Sequence, residues 1–274
     1  MTPVPLPASP TVVRFAGRAG DTTDRAYAAS ARLAASLADR FGTEVAEVGV
    51  PRPPLAAGWA TELASATPEL RALAEAYRTI LTDGGRPATA LGRCAAAIAT
   101  VPVVARHRPD AVVVWFDAHP DLNTPSTSAS GFLGGMALAG PLGFWESGLG
   151  AGLDPANTVL VGTRAIDPPE QELLDTTAVA TVPYGPRLVA DLDAAVGRRP
   201  VYVHLDCDVL EAGVVSTGHT IPGGLSLADL HQACAALAVS EVVGVEIAEL
   251  ESPTDAAGLD RLLAALAPLL DRLD

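Results

Sequence analysis

The sequence contains no lysine, because all 18 of its basic residues are arginine. A chain without lysine cannot supply the lysine of a phosphate-binding P-loop. It also cannot supply the lysine that forms a Schiff base with a carbonyl substrate or with pyridoxal phosphate. The composition therefore argues against P-loop NTPases and against pyridoxal phosphate enzymes.

Cysteine and long apolar runs are also scarce. The three cysteines, Cys94, Cys207 and Cys234, are too few and too scattered for a disulfide framework, so we expect reduced thiols. The sequence has no uncharged apolar stretch of about 18 residues, and residues 1–15 lack the charged start and apolar run of a secretory signal. These absences predict a soluble, cytoplasmic protein.

The charge is strongly one-sided. With 32 acidic and 18 basic residues, the formal net charge is -14, which would repel phosphate backbones and anionic membrane surfaces. We therefore expect neither nucleic acid nor a membrane as a partner. The length of 274 residues lies near the upper limit for one hydrophobic core, and 49% of the residues are hydrophobic, so we expect a single domain over residues 1–274.

Short β-branched runs alternate with Ala/Leu-rich stretches of helical period. This alternation is typical of βαβ units, and it predicts a three-layer α/β/α sandwich with a mostly parallel central sheet. The predicted strands are Val12–Phe15, Val45–Val50, Ala111–Phe116, Val159–Gly162, Val179–Val182, Val201–Leu205 and Val242–Ile247, with a weaker one at Thr89–Leu91. The predicted helices are Asp24–Phe41, Pro68–Thr82, Cys94–His107, Ser226–Val239 and Ala256–Leu273.

Three of the predicted strands run directly into acidic residues. These residues are Asp117, Asp206, and the pair Glu246 and Glu249. Ligands of parallel sheets bind beyond the carboxyl ends of the strands, so we expect these carboxylates to share one functional edge. Packed together without a counter-charge they would repel one another, and a pair of metal ions would resolve that conflict.

The spacing of the acidic residues also favours metal ligands over helix caps. A single Asp after a strand is usually a cap or turn residue, but Asp117, His119 and Asp121 repeat a possible ligand at alternate positions. Asp206 and Asp208 repeat the pattern after another strand. A set rich in oxygen with little nitrogen suits manganese or magnesium, and two such ions can lower the pKa of a water that attacks an electrophilic carbon.

Two segments resemble the ureohydrolases, the family of arginase, agmatinase and formiminoglutamase. The first is WFDAHPDLNTP, from Trp115 to Pro125 and continuing through Ser130 and Gly131, and the second is LDCDVL, from Leu205 to Leu210, followed by a glycine turn. Residues 161–168 and 244–249 are weaker matches, so the resemblance spans about residues 90 to 253. It implies an arginase-like fold and a binuclear manganese centre with two Mn²⁺ per chain.

The resemblance also implies a role for each metal ligand. Asp117 and Asp206 would bridge the two ions. Asp121 would bind the first ion, and His119 with Asp208 would bind the second.

A small guanidino amino acid is the substrate that the resemblance implies. Glu249 stands where the family has the carboxylate that grips the substrate guanidinium, which suits a two-point contact. Asn123, Ser130 and Asp167 match positions that hold the amino-acid end in arginases. Family members form homo-oligomers, so a trimer or hexamer is expected.

Cys94 is the first departure from the family pattern. The family has Gly-Gly-Asp-His where this chain has Leu91-Gly92-Arg93-Cys94, so Cys94 takes the place of the first histidine ligand. A thiolate can bind the ion, but it is softer and more negative than imidazole and should weaken the Lewis acidity there. Alternatively, Cys94 is a small buried residue at a helix start, in which case the first ion is weakly held or absent.

Gly134 is the second departure. Arginases have at this position a histidine that passes a proton to the leaving amine, and such help is worth about 10²- to 10⁴-fold. Its loss argues against ordinary arginine, whereas a less basic Nω-hydroxyguanidine would depend less on a proton shuttle. Cys94 and residues 132–136 also resemble ureohydrolases that act on such substrates, so we predict hydrolysis of Nω-hydroxy-L-arginine to L-ornithine and hydroxyurea.

His219 precedes the glycine turn and could replace the missing proton carrier. The alternative for His219 is a loop histidine that is hydrogen-bonded to the backbone. His107, His204 and His231 belong to no motif and are interpreted as structural or surface residues.

Other functions stay open from the residues alone. Ordinary arginase, agmatinase or formiminoglutamase activity would use the same ligands, and a family member without turnover would explain the missing histidines. Histone-deacetylase-like enzymes share the fold type but use one zinc ion for amide hydrolysis. The loop Asn123-Thr124-Pro125 and the pair Asp206 and Asp208 favour the ureohydrolase interpretation.

Overall fold

A computed structural model describes residues 10–274 of the protein. Residues 1–9, which make up most of the N-terminal stretch used for the targeting prediction, lie outside the described residues. None of the helices in residues 10–274 combines the length and the apolar character that a membrane span requires.

Eight parallel strands form one sheet in the order β2-β1-β3-β8-β7-β4-β5-β6. The strands are β1 (Thr11–Phe15), β2 (Val45–Val48), β3 (Pro87–Ala90), β4 (Val112–Phe116), β5 (Thr158–Val161), β6 (Ala180–Val182), β7 (Val201–Asp206) and β8 (Val242–Ala248). Every predicted strand is therefore present, and the predicted parallel sheet is confirmed.

Helices cover both faces of this sheet. They are α1 (Arg25–Phe41), α2 (Trp59–Thr82), α3 (Ala97–His107), α4 (Pro168–Thr176), α5 (Leu188–Val196), α6 (Leu227–Leu237) and α7 (Ala256–Leu270). Helices α1, α5, α6 and α7 contribute to one apolar cluster, and α2, α3 and α4 to the other. Alternate residues of β4 enter opposite clusters, Val114 on one face and Trp115 on the other. This two-residue alternation confirms the three-layer α/β/α sandwich.

The helix predictions were less accurate than the strand predictions. Helix α2 begins at Trp59 rather than at Pro68, because Leu63 and Ala66 are buried and hold the turns before the proline against the core. Residues 94–96 form a separate 3₁₀ turn before α3. The prediction missed α4 and α5, each nine residues long, because neither presents a long apolar stripe.

The register of the central strands positions the site. Phe116 of β4 pairs with Leu205 of β7, so Asp117 and Asp206 follow paired residues at the same edge. On the other side of β7, Asp206 pairs with Ala248, the residue before Glu249. The carboxylates that are far apart in sequence therefore meet at one edge of the sheet, as predicted.

Candidate metal centre and active site

A cavity of about 420 Å³ opens at the carboxyl ends of the central strands. This volume lies in the range typical of small-molecule sites. The predicted site residues that line the cavity are Cys94, His119, Asp121, Asn123, Ser130, Asp167, Asp206, Asp208, His219 and Glu249. Asp117 lies behind them and is fully buried.

Asp117, His119 and Asp208 form one cluster in which their ligand atoms lie within 4.8 Å of one another. The Nδ1 atom of His119 lies 3.0 Å from Oδ2 of Asp208 and 3.4 Å from Oδ1 of Asp117. Asp117 accepts hydrogen bonds from the indole of Trp115 and from the backbone N–H of His119, which fix its carboxylate. The cluster matches the set predicted for the second ion, apart from the bridging Asp206.

Cys94 joins two further clusters of the same size, one with Asp117 and Asp121 and one with Asp206 and Glu249. The thiol donates to Oδ2 of Asp206 over 3.1 Å. Asp121 accepts no side-chain hydrogen bond among residues 10–274, and its backbone φ of 53° lies in the left-handed region that a non-glycine residue seldom adopts. A buried carboxylate held in a strained backbone and without a donor is suited to a cation.

Burial and mutual repulsion dominate the electrostatics of these carboxylates. Burial, followed by the charge of Asp208, raises the pKa of Asp117 to about 7, and burial raises the pKa values of Asp121 and Asp206 well above the usual range of an aspartate. Although burial alone would lower it, hydrogen bonds to Asp117 and Asp208 raise the pKa of His119 to about 11. The cluster therefore requires positive charge, which protons supply in the absence of divalent ions.

Four carboxylates, one imidazole and one thiol thus fit two divalent ions chemically. The oxygen ligands suit manganese, and the thiol is the exception. Burial, followed by the charge of Asp206, raises the pKa of the Cys94 thiol. Only a cation at the thiol would favour its ionised, ligating form.

His204, which the sequence analysis interpreted as a structural or surface residue, is a buried residue that also contacts the site. Its Nε2 atom lies 3.2 Å from Sγ of Cys94, and its Nδ1 atom lies 2.7 Å from Oε1 of Glu246. The ring is fully buried and stacks on Trp115 with 3.5 Å between the ring centroids. Its position two residues before Asp206 puts both side chains on the same face of β7, which is the signal that could have identified it.

Glu249 lies in the cavity wall, but both of its carboxylate oxygens already carry donors from the chain itself. Oε1 accepts the backbone N–H of Cys94 over 2.9 Å, and Oε2 accepts a guanidinium N–H of Arg93 over 2.6 Å. Arg93 replaces the aspartate of the Gly-Gly-Asp-His pattern, a signal that the sequence analysis left unused. Whether Glu249 also contacts substrate stays a prediction.

The three residues predicted to hold an amino-acid end line the rim of the same cavity. Nδ2 of Asn123 donates to Oδ2 of Asp167 over 3.0 Å, and Glu170 fixes both loops by accepting from the backbone N–H groups of Leu122 and Asp167. Ser130 is exposed beside them. The rim therefore offers two donors for a substrate carboxylate, the amide of Asn123 and the hydroxyl of Ser130. It also offers the carboxylate of Asp167 as an acceptor for a substrate ammonium group.

Phe132 fills the space where a side chain at position 134 would lie. A Cβ atom on Gly134 would be 2.4 Å from the ring of Phe132, far inside van der Waals contact. The exposed ring of His219 lies edge-on to both Phe132 and His119, with centroid distances of 5.9 and 5.7 Å. His219 is thus at the mouth of the cavity, on the side of the second ion cluster.

Comparison with known proteins gives one consistent result. Residues 24–269 match the profile of the arginase family. The Nω-hydroxy-L-arginine amidinohydrolase of Streptomyces lavendulae is 38% identical over 93% of this chain and 92% of its own length. The arginase of Bacillus caldovelox is 30% identical over 62% of each chain.

The solved structures agree with the sequence comparison. The structure of the Bacillus caldovelox arginase superposes with a TM-score of 0.80 at 25% identity, covering 96% of this chain and 98% of that one. An arginase from Bacillus subtilis gives a TM-score of 0.78 at 22% identity, which speaks to the fold alone, over 96% and 98% of the two chains.

Proposed function

The chain belongs to the arginase family of hydrolases that act on guanidino carbon–nitrogen bonds, and we propose that its substrate is Nω-hydroxy-L-arginine, cleaved to L-ornithine and hydroxyurea. The relative from Streptomyces lavendulae, which is named for this substrate, supports the proposal. The proposal is also supported by the cavity wall, which has Gly134 at the position of the arginase proton-carrying histidine.

The observation that carries the proposal is the contact between Gly134 and Phe132. A side chain at position 134 would require the Phe132 ring to shift, so in this structure the ring occupies the place where a proton-carrying histidine would start. Arginine needs its leaving amine protonated. In a hydroxyguanidine the electron-withdrawing hydroxyl lowers the basicity of the group and makes the guanidino carbon easier to attack, so this substrate depends less on a proton carrier at this wall.

Two manganese ions would be held by the six side chains clustered at the sheet edge. The first would take Cys94 and Asp121, the second His119 and Asp208, with Asp117 and Asp206 shared between them. When bound, such ions lower the pKa of a water molecule and supply a hydroxide nucleophile near neutral pH. The protein keeps the ligands in place by the hydrogen bonds of Trp115 and the strained backbone at Asp121.

The rim residues would orient the substrate. Asn123 and Ser130 can donate to its α-carboxylate, and Asp167 can accept from its α-ammonium group, which directs the guanidino end towards the carboxylate clusters. This arrangement supports an amino acid rather than a simple amine such as agmatine. Hydrolysis breaks the bond between the guanidino carbon and the side-chain nitrogen, and that nitrogen must gain a proton.

His219 is the proposed source of this proton. It is exposed, it lines the cavity, and its ring lies 5.7 Å from that of His119. An exposed histidine can exchange protons with solvent between turnovers. The role of His219 is a proposal that depends on the substrate lying between the rim and the metal ligands.

The test is steady-state hydrolysis of L-arginine and Nω-hydroxy-L-arginine by manganese-loaded protein, with ornithine quantified and metal per chain counted on the same sample. We expect the hydroxylated substrate to have the higher kcat/KM. Equal or greater efficiency on L-arginine would overturn the substrate proposal and leave the family assignment standing. The expected homo-oligomer and cytoplasmic location remain predictions for light scattering and cell fractionation.

A further inference from the structure

We propose that Arg93 is a specificity-determining residue. Its guanidinium forms a salt bridge with the carboxylate of Glu249, and for this reason the cavity binds a neutral guanidino group in preference to a protonated one. The inference deepens the proposed function and rests on it, since Nω-hydroxy-L-arginine is the less basic of the two substrates. Arg93 binds one of the two carboxylate oxygens of Glu249 that a two-point contact with a substrate guanidinium would need.

The contact between Arg93 and Glu249 is short and buried. Nη1 of Arg93 lies 2.6 Å from Oε2 of Glu249, and both side chains are only 5% exposed. The second oxygen of Glu249 accepts the backbone N–H of Cys94 over 2.9 Å. A substrate guanidinium that needed a two-point contact with this carboxylate would have to compete with both donors.

Arg93 matters more to Glu249 than to its other acidic neighbours. Arg93 also contacts Asp21 over 3.3 Å and Glu251 over 2.8 Å. Those two carboxylates have further cations, since Arg18 lies 3.6 Å from Asp21 and Arg25 lies 3.2 Å from Glu251. Among residues 10–274, Arg93 is the cation within salt-bridge distance of Glu249. The charge of Glu249 is therefore neutralised from within the chain.

The surroundings hold Arg93 in this position. A Cβ atom on Gly218 would lie 3.1 Å from Nη1 of Arg93 and 3.2 Å from Oε1 of Glu251, so the loop before His219 rests directly on the ion pair. Glu249 itself has a backbone φ of 58°, which turns its carboxylate back towards Cys94 and Arg93. A substrate would therefore meet a fixed ion pair rather than a free carboxylate.

The physical consequence is a charge preference. A protonated guanidinium entering the cavity would lose its hydration and would gain little from a carboxylate that is already paired. A neutral group loses less hydration on entering. Freeing Glu249 would restore a charged hydrogen bond to arginine, which corresponds to a gain of about tenfold or more in affinity.

The first experiment uses the wild-type protein with its metal. Dissociation constants of L-arginine and of L-citrulline, its neutral isostere, are measured by the shift in melting temperature with ligand concentration. We expect L-citrulline to bind at least as tightly as L-arginine. Tighter binding of L-arginine, or no binding of either amino acid, would overturn the inference.

The second experiment changes Arg93. In Arg93→Gln, Asp21 and Glu251 keep Arg18 and Arg25, and we expect the affinity for L-arginine to rise relative to L-citrulline by about tenfold. We also expect the KM for L-arginine to fall while its kcat changes less. Glu251→Gln is the matched control, because it removes a partner of Arg93 but leaves the contact with Glu249, and its ligand preference should equal that of the wild type.

The outcomes separate this inference from the proposed function. If the wild type hydrolyses neither substrate, the proposed function fails, whereas the comparison of L-arginine with L-citrulline still tests Arg93. If Arg93→Gln has a wild-type circular dichroism spectrum and an unchanged preference, the inference fails and the proposed function stands. If Arg93→Gln does not fold, the wild-type comparison decides.

Discussion

The Nε2 atom of His204 lies 3.2 Å from the Sγ atom of Cys94, beneath the predicted metal ligands. On its other side the ring is held by Oε1 of Glu246, which lies 2.7 Å from Nδ1. Glu246 in turn accepts from the hydroxyls of Thr100 and Tyr202. The thiol that replaces a histidine ligand is therefore positioned by a buried chain of hydrogen bonds.

Replacing His204 by Asn should weaken the binding of the ion next to Cys94. The shorter side chain cannot reach both Glu246 and the thiol, and loss of such an outer partner typically costs about 10- to 100-fold in metal affinity. Calorimetric Mn²⁺ titration measures this loss. In the cobalt-loaded protein, the thiolate-to-cobalt charge-transfer band should weaken with it. His231→Asn, at an exposed histidine, is the control, and equal affinities in both variants would refute the positioning role.

Removal of metal should abolish turnover, and Cys94→Ser should lower the amount of metal bound. A chelator takes the ions from the carboxylates, and added Mn²⁺ should restore activity. In Cys94→Ser the weaker ligand should leave close to one ion per chain after dialysis, which elemental analysis measures. Cys234→Ser changes a buried free cysteine in α6, away from the site, and should keep the wild-type metal content. Unchanged metal in Cys94→Ser would favour Cys94 as a packing residue.

His219→Asn should lower kcat more than about tenfold, because general acid help is typically worth about 10²- to 10⁴-fold. The variant keeps a polar side chain at the cavity mouth, so the KM should change less than kcat. Steady-state kinetics with His107→Asn as the control provides the measurement. A kcat equal to that of the wild type would assign His219 to the loop structure alone.

Asn123→Ala should raise the KM for the amino-acid substrate about tenfold, the effect of losing one hydrogen bond to a charged group. The corresponding amine without a carboxylate should be hydrolysed equally well by variant and wild type, because it makes no use of this contact. Ser126→Ala, in the same loop, is the control. If the variant weakens both substrates equally, Asn123 supports the loop rather than the carboxylate.

Asp21→Asn should stabilise the protein at pH 8 but not at pH 4. Burial raises the pKa of Asp21 from 3.8 to about 6, against the opposing charges of Arg93 and Arg18. Because the folded-state pKa is raised, the stability that this group contributes is present below pH 3.8 and is lost as the pH rises through 6. The asparagine cannot ionise, so its gain at pH 8 should be on the order of 2 kcal/mol.

Urea unfolding at the two pH values measures this difference. Asp24→Asn, at an exposed partner of Arg18, is the control and should show no such pH dependence. A gain that is the same at both pH values would mean that Asp21 does not change its protonation between them.

Every strand, and the meeting of the proposed metal ligands at one edge of the sheet, could be predicted from the sequence because these inferences depend on local patterns. A buried strand such as Val112–Phe116 is recognisable from its own residues, and a carboxylate that follows it must lie at the end of the sheet. Helices were harder: α2 starts before Pro68 only because its first turns pack on the core. The short helix α5 has too few apolar positions to be recognised alone.

The tertiary structure alone decided which partners these side chains have. Arg93 and Glu249 are 156 positions apart, and His204 and Cys94 are 110 positions apart, so no local pattern couples them. The sequence shows directly that position 134 is a glycine and not a histidine. Only the tertiary structure shows that the Phe132 ring lies where a side chain at position 134 would be. The sequence by itself determined the sheet, the family and the ligand types, since spacing and side-chain chemistry are local. Which carboxylate is free and which is already paired depended on how β8 and the loop after β3 pack together.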